Sequence, residues 1–167
     1  MAICSSQSLG SGGVLGRHGG EATKRHRKAT KWVVVEASAE AAPWRAWDVA
    51  RDKESKRIYY DMISVDRVDE AAGPVGVGSQ YHCVHELGDI RFTITDWNPP
   101  LSFESDEVAF DIPVHFTTQV VPAGSGSVLR IMYDVPEVDG DPEDLRSLFE
   151  GAAQAAVGRL VGILDGR

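Results

Sequence analysis

Between Ser79 and Val135 the chain runs through five segments rich in β-branched and aromatic residues: Ser79 to Glu86, Asp89 to Trp97, Leu101 to Glu107, Val114 to Val121 and Ser127 to Val135. They read as the strands of an antiparallel meander. Gly88, Asn98-Pro99-Pro100 and Gly124-Ser125-Gly126 supply the turn chemistry of a meander. Alternation assigns one face to Ile90, Phe92 and Ile94, to Leu101 and Phe103, to Val114, Phe116 and Val120, and to Leu129, Ile131, Tyr133 and Val135. An apolar face of that extent needs a cover.

Helices flank the meander and provide it. Asp141-Pro142-Glu143-Asp144 opens a long helix, with a capping side chain, proline in the first turn and acids at the positive end of the dipole. Leu145, Leu148, Phe149, Ala152, Ala156, Leu160, Ile163 and Leu164 then recur at helical spacing and predict the stripe that lies on the sheet. Upstream, Trp32 to Ser38 reads as a strand, Ala41 to Ala50 as a helix started by Pro43, and Lys53 to Tyr60 as a second short helical turn. Trp44 and Trp47, on one face of the first helix, are expected to seal the core, and Gly73 to Gly78 breaks the chain before the strands.

A length of 167 residues suits one domain. No apolar run approaches the roughly 20 residues of a membrane span. The first twenty positions carry no apolar stretch of signal-peptide length and only two cysteines occur, Cys4 and Cys83, so a cytoplasmic protein is expected. Charge divides unevenly, since residues 1–31 carry a net +5 and residues 32–167 a net -13. The acidic part disfavours nucleic acid as a partner. Residues 1–30, rich in glycine and without hydrophobic period, are expected to be a disordered basic leader, followed by a single domain over 31–167.

The order of elements joins several local motifs. Ala42-Pro43 and Trp47 follow the opening strand, Val77-Gly78 precedes the meander, and Asp96-Trp97-Asn98-Pro99-Pro100 forms an acid-aromatic-x-proline-proline hairpin. Together they resemble the helix-grip fold of START-like, polyketide-cyclase-like proteins, over residues 32–165. Tyr81-His82-Cys83-Val84-His85 with Asp96-Trp97 is most similar to a bacterial branch, some members of which are fused to a nucleotide-cyclase-like domain. The resemblance implies an α+β fold, a curved antiparallel sheet with two short helices and a long C-terminal helix over a cavity. It implies no single reaction.

Gly151, Gly158 and Gly162, with Ala152, Ala153, Ala155 and Ala156, give the last helix little volume. Such a helix either packs close to the sheet or leaves a space, and the resembled fold favours a space. The expected lining is Tyr81, Cys83, His85, Phe92, Ile94, Phe103, Phe116, Ile131, Tyr133 and Ala156. His85 is the candidate general base, set against a histidine satisfied by its neighbours. His82-Cys83-x-His85 offers zinc-ligand chemistry, but strand alternation sends His82 and Cys83 to opposite faces, so no metal and no cofactor are expected. No serine sits in a nucleophile elbow and no glycine loop precedes a helix to hold phosphate. The reading adopted is a binding protein for a small hydrophobic ligand, lipid or polyketide-like, acting as monomer or homodimer without membrane insertion. Its alternatives are a cyclase or dehydratase-type enzyme using the same cavity, and a co-chaperone-like interaction module.

Overall fold

The computed structural model describes residues 33–69, 73–134 and 142–166. The basic leader, Val135 and the Asp141 cap lie outside them. Seven strands form one sheet, antiparallel throughout, in the order β1-β7-β6-β5-β4-β3-β2. They span β1 (Val33–Ala39), β2 (Ser64–Arg67), β3 (Gln80–His85), β4 (Gly88–Asn98), β5 (Ser102–Ala109), β6 (Ile112–Ala123) and β7 (Gly126–Asp134). Helices α1 (Pro43–Arg51) and α2 (Lys53–Tyr59) join β1 to β2, and α3 (Pro142–Leu164) follows β7. This is the α+β helix-grip arrangement: α3 lies against β1 and β7, α1 against β6 and β7, and α2 against β2 and α3. Among the described residues no helix is long and apolar enough to cross a membrane.

Strand β2 escapes a reading by composition, because its four residues, Ser64-Val65-Asp66-Arg67, carry one apolar side chain that becomes buried. It exists because β3 offers it an open edge. Asp52 separates the two short helices and caps the second, accepting the Ser55 N–H at 2.8 Å. The far end of α2 is tied to α3 by Arg159, which donates to the Tyr59 carbonyl and to Asp61, each at 3.2 Å.

The inner face follows the alternation on most strands. Phe92, Ile94, Phe103, Val114, Phe116, Val120, Leu129, Ile131 and Tyr133 are all buried. Leu101 is 43% exposed, because it belongs to the turn before β5, where its N–H bonds the Asn98 carbonyl. A register shift between Ile94 and Asp96 advances the face by one residue, so Trp97 turns inward and meets Trp47 at 5.1 Å between ring centroids. Trp44 does not join them and is 64% exposed, so the pair expected to seal the core is one tryptophan from each of two elements.

On α3 the buried face is Phe149, Ala153, Ala156, Val157, Leu160 and Val161, while Leu148 and Ala152 of the expected stripe are exposed. The alanine run explains the rotation, since four near-identical side chains carry no phase. Ala153, Ala156 and Leu160 are fully buried, and Gly151 and Gly158 point outward, where an added Cβ would meet nothing within 4 Å. These glycines therefore make no room toward the sheet.

Candidate functional site

Two apolar clusters occupy the inner face. A large one joins α1, α3, β1 and strands β5 to β7, and a small one holds Val65, Tyr81, Cys83, Phe92 and Ile94. A pocket of about 50 Å³ lies at their seam, lined by Lys56, Tyr60, Met62, Val65, Cys83, Ile90, Phe92, Glu107, Phe116 and Tyr133. Its roof is α2 with the residues just after it, and its floor is drawn from β2 to β7. Residues of α3 take no part in its lining.

Helical geometry sends Lys56 and Tyr59 of α2 to the sheet side, where they are 7% and 1% exposed. The Tyr59 hydroxyl is spent on the Ala50 carbonyl at 2.7 Å, which locks α2 to α1. Lys56 has no such use. Its ammonium lies over Phe103, Phe92 and Tyr81, with Nζ at 4.3, 4.9 and 5.8 Å from the ring centroids. Tyr81 and Phe92 stack on each other across the β3–β4 pair at 4.7 Å and stiffen this cage. Among the described residues the Lys56 side chain makes no hydrogen bond or ion pair. Facing aromatic rings compensates part of the lost hydration of a buried cation, on the order of 2 kcal/mol.

Glu107 reaches the pocket by strand parity: Phe103, Ser105, Glu107 and Ala109 share the inner face of β5. Ser105, fully buried, donates to Glu107 Oε1 at 2.9 Å. Burial lifts the Glu107 carboxyl to about 7, opposed by the Ser105 hydrogen bond and the charge of Lys56. The same burial lowers the Lys56 ammonium from 10.5 to about 8, with Glu107 again opposing. Desolvation thus disfavours the charged form of each; Ser105 and then Lys56 support the Glu107 carboxylate, and Glu107 is the main charge supporting the Lys56 ammonium. Two phenols complete the group. Those of Tyr60 and Tyr133 are pushed well up by burial and lie close enough to perturb each other, yet their geometry falls short of a hydrogen bond. Tyr60 Oη is left buried without a partner among the described residues.

Of the side chains expected from sequence, Cys83, Phe92, Phe116 and Tyr133 line this pocket, and Tyr81 and Phe103 form walls of the lysine cage. Ile94, Ile131 and Ala156 are packed in the core at 1% exposure or less and are absent from the lining. His85 sits at the end of the β3–β4 hairpin. There its Nδ1 accepts the Leu87 N–H at 3.0 Å and its ring meets Phe110 edge-on, so the strand has run past the pocket before His85 is reached. Burial raises the Cys83 thiol to about 12, which removes the thiolate that a nucleophile needs. His82 points outward and pairs with Asp89 at 3.0 Å. No group of three or more His, Cys, Asp or Glu side chains among the described residues is placed to hold a metal.

Lys56, Tyr60 and Glu107 were not among the sequence candidates. Glu107 was legible, because it shares parity with Phe103. Lys56 was not, since Lys53-Glu54-Ser55-Lys56-Arg57 reads as a solvated helix surface.

No family model and no curated protein matches the sequence. Solved structures do match in shape. XoxI from Bacillus cereus superposes with a TM-score of 0.66 at 15% identity, over 79% of this chain and 94% of that one. Ara h 8.0201 gives 0.63 at 14% identity, over 80% of this chain and 97% of the other. DynU16, from the dynemicin biosynthetic locus, gives 0.62 at 15% identity, over 80% of this chain and 46% of its own length. At such identities the likeness is one of fold, and the chain adopts the helix-grip fold of START-like, polyketide-cyclase-like proteins.

Proposed function

We propose that the protein binds a small hydrophobic molecule of the lipid or polyketide-like class, with a neutral oxygen, a carbonyl above all, directed at Lys56. The carrying observation is Lys56, a buried residue whose ammonium lies in an aromatic cage at the pocket and makes no side-chain hydrogen bond or ion pair among the described residues. A ligand oxygen in the pocket gives that charged donor a hydrogen bond, worth about 1.5–3 kcal/mol. Glu107 argues against a carboxylate as the ligand group, because two acids would then share the space. The unpartnered Tyr60 hydroxyl offers a second donor to the same oxygen.

A space of about 50 Å³ holds the equivalent of a few waters, hence a polar head and its neighbouring carbons. A longer ligand requires α2 and the β2 edge to move apart. Native mass spectrometry of protein purified from its own host, looking for a co-purifying molecule, tests the reading directly. Loss of that molecule in Lys56→Met with the fold retained is expected, and equal occupancy in the variant overturns the role of Lys56. Cytoplasmic location and action as a monomer or homodimer remain parts of this reading.

The enzyme alternative draws on one specific observation, the Glu107 carboxyl raised to about 7, a value suited to moving protons at neutral pH. In that reading Glu107 and Lys56 take the part first given to His85. Chemical change of a carbonyl compound by the parent protein, absent in Glu107→Gln, decides for it.

A further inference from the structure

We infer that Lys56 captures aldehyde or ketone ligands covalently, as a reversible imine, with Glu107 as the proton donor for the loss of water. This rests on the carbonyl-binding reading above and goes beyond it. Three features of the pocket carry it. The Lys56 amine is directed into a walled space where no hydrogen-bond or ion-pair partner among the described residues competes for its lone pair once it is neutral. A carboxyl group, Glu107, lines the same small pocket and is oriented by Ser105 at 2.9 Å. Much of the remaining lining is apolar, with Val65, Ile90, Phe92 and Phe116 limiting the water beside the amine.

The titratable groups facing Lys56 are Glu107 of β5, Cys83 and Tyr81 of β3, Tyr59 and Tyr60 of α2 and its end, and Tyr133 of β7. Cys83 and the three tyrosines Tyr59, Tyr60 and Tyr133 stay neutral at pH 7, since burial raises each of them. Glu107 is the larger of the two groups that support the ammonium's charge, Cys83 the smaller. With the ammonium lowered to about 8, the free amine at neutral pH is on the order of a hundredfold more abundant than on an exposed lysine.

The step balances without an external reagent. Neutral Lys56 Nζ adds to the carbonyl carbon, the C=O π pair moves to oxygen, and a proton passes from nitrogen to that oxygen to give a carbinolamine. The Glu107 carboxyl then protonates the hydroxyl, the C–O bond breaks with release of water, and the nitrogen lone pair closes the C=N bond. A protonated imine remains beside the Glu107 carboxylate, an ion pair formed where neither partner had one.

The probe is pentane-2,4-dione, a compact 1,3-diketone whose lysine adduct rearranges to a conjugated enaminone with new near-ultraviolet absorbance. The full chain is incubated with it at pH 7.5, and intact mass and peptide mapping locate the adduct among the five lysines, Lys24, Lys28, Lys31, Lys53 and Lys56. Lys53, exposed and three residues earlier on the same helix, is the internal control. The expected result is an adduct of the diketone less one water at Lys56, at least tenfold faster than at Lys53. It should be absent in Lys56→Arg and slowed tenfold or more in Glu107→Gln. Labelling spread evenly over the lysines overturns the inference. A complex of unchanged diketone mass, seen by native mass spectrometry and retained in Lys56→Arg, also overturns it while leaving the carbonyl-binding reading standing. Neither adduct nor complex overturns both.

Discussion

Replacing Lys56 by methionine should make the protein more stable, although it deletes a side chain that touches three aromatic rings. Lowering the ammonium from 10.5 to about 8 means that the charged form is disfavoured in the folded state. At about 1.36 kcal/mol per pKa unit the difference is about 3 kcal/mol, a figure that already includes the help given by Glu107. Methionine keeps the length and the apolar stem, fits among Phe92, Phe103 and Tyr81, and carries no charge to desolvate. At pH 7 the variant is therefore expected to gain about 2–3 kcal/mol, a rise in Tm on the order of 10 °C. Folded Lys56 binds fewer protons than unfolded Lys56 between pH 8 and 10.5, so wild-type stability rises across that window. The methionine variant lacks this rise, and the two proteins converge above it. Urea unfolding followed by tryptophan fluorescence at pH 7 and at pH about 10 measures both quantities, since Trp47 and Trp97 report from the core. A variant less stable than wild type at pH 7, with a parallel pH profile, would refute the claim that a net cost of burial sits on this ammonium. Retention of a destabilising charge in a chain able to discard it is what a functional group looks like energetically.

Glu107→Gln should abolish a fall in stability between pH 4.5 and about 7, because the folded carboxyl holds its proton above the unfolded value and the advantage fades as pH rises; chemical denaturation across that range checks it. Gly126→Ala should cost about 1–3 kcal/mol, since its Cβ would strike the Ala39 carbonyl oxygen, whereas Gly158→Ala, in open space on α3, should gain up to about 1 kcal/mol; thermal melts of the two distinguish a close approach from an idle glycine. His115 is hydrogen-bonded to Asp106 at 2.8 Å and Glu104 at 3.2 Å, and although burial opposes its charge these carboxylates outweigh it and raise its pKa. Wild type should accordingly lose its margin over His115→Gln as pH climbs above 6.5, read from paired unfolding curves. Elemental analysis should find zinc well below one per chain, and a chelator should leave the melting point unchanged, because no three His, Cys, Asp or Glu side chains among the described residues are placed to share an ion.

The reach of the sequence can be followed strand by strand. Phe92 and Phe116 were placed on the inner face by period-two alternation alone, because a pleated strand has two sides and the apolar one must be covered. That rule failed at Leu101, which the turn claims before β5 begins, and it does not extend to Trp97, where a register shift after Ile94 changes the parity. On α3 the existence and length of the helix followed from its cap and its leucines. Its rotation did not, because a run of alanines has no hydrophobic phase, and the outward Gly158 shows that a small residue need not make room for a ligand.

What the sequence determined by itself is the antiparallel meander with helices before and after it, since short polar turns and alternating apolar residues are local facts that permit few packings. The site was decided only by tertiary structure. Lys56 becomes unusual because a charged helix surface is laid over Phe92, Phe103 and Tyr81 from three different strands, and Glu107 because β5 carries it beneath the same helix. Desolvation depends on everything that surrounds a group, and no stretch of neighbouring residues contains that information.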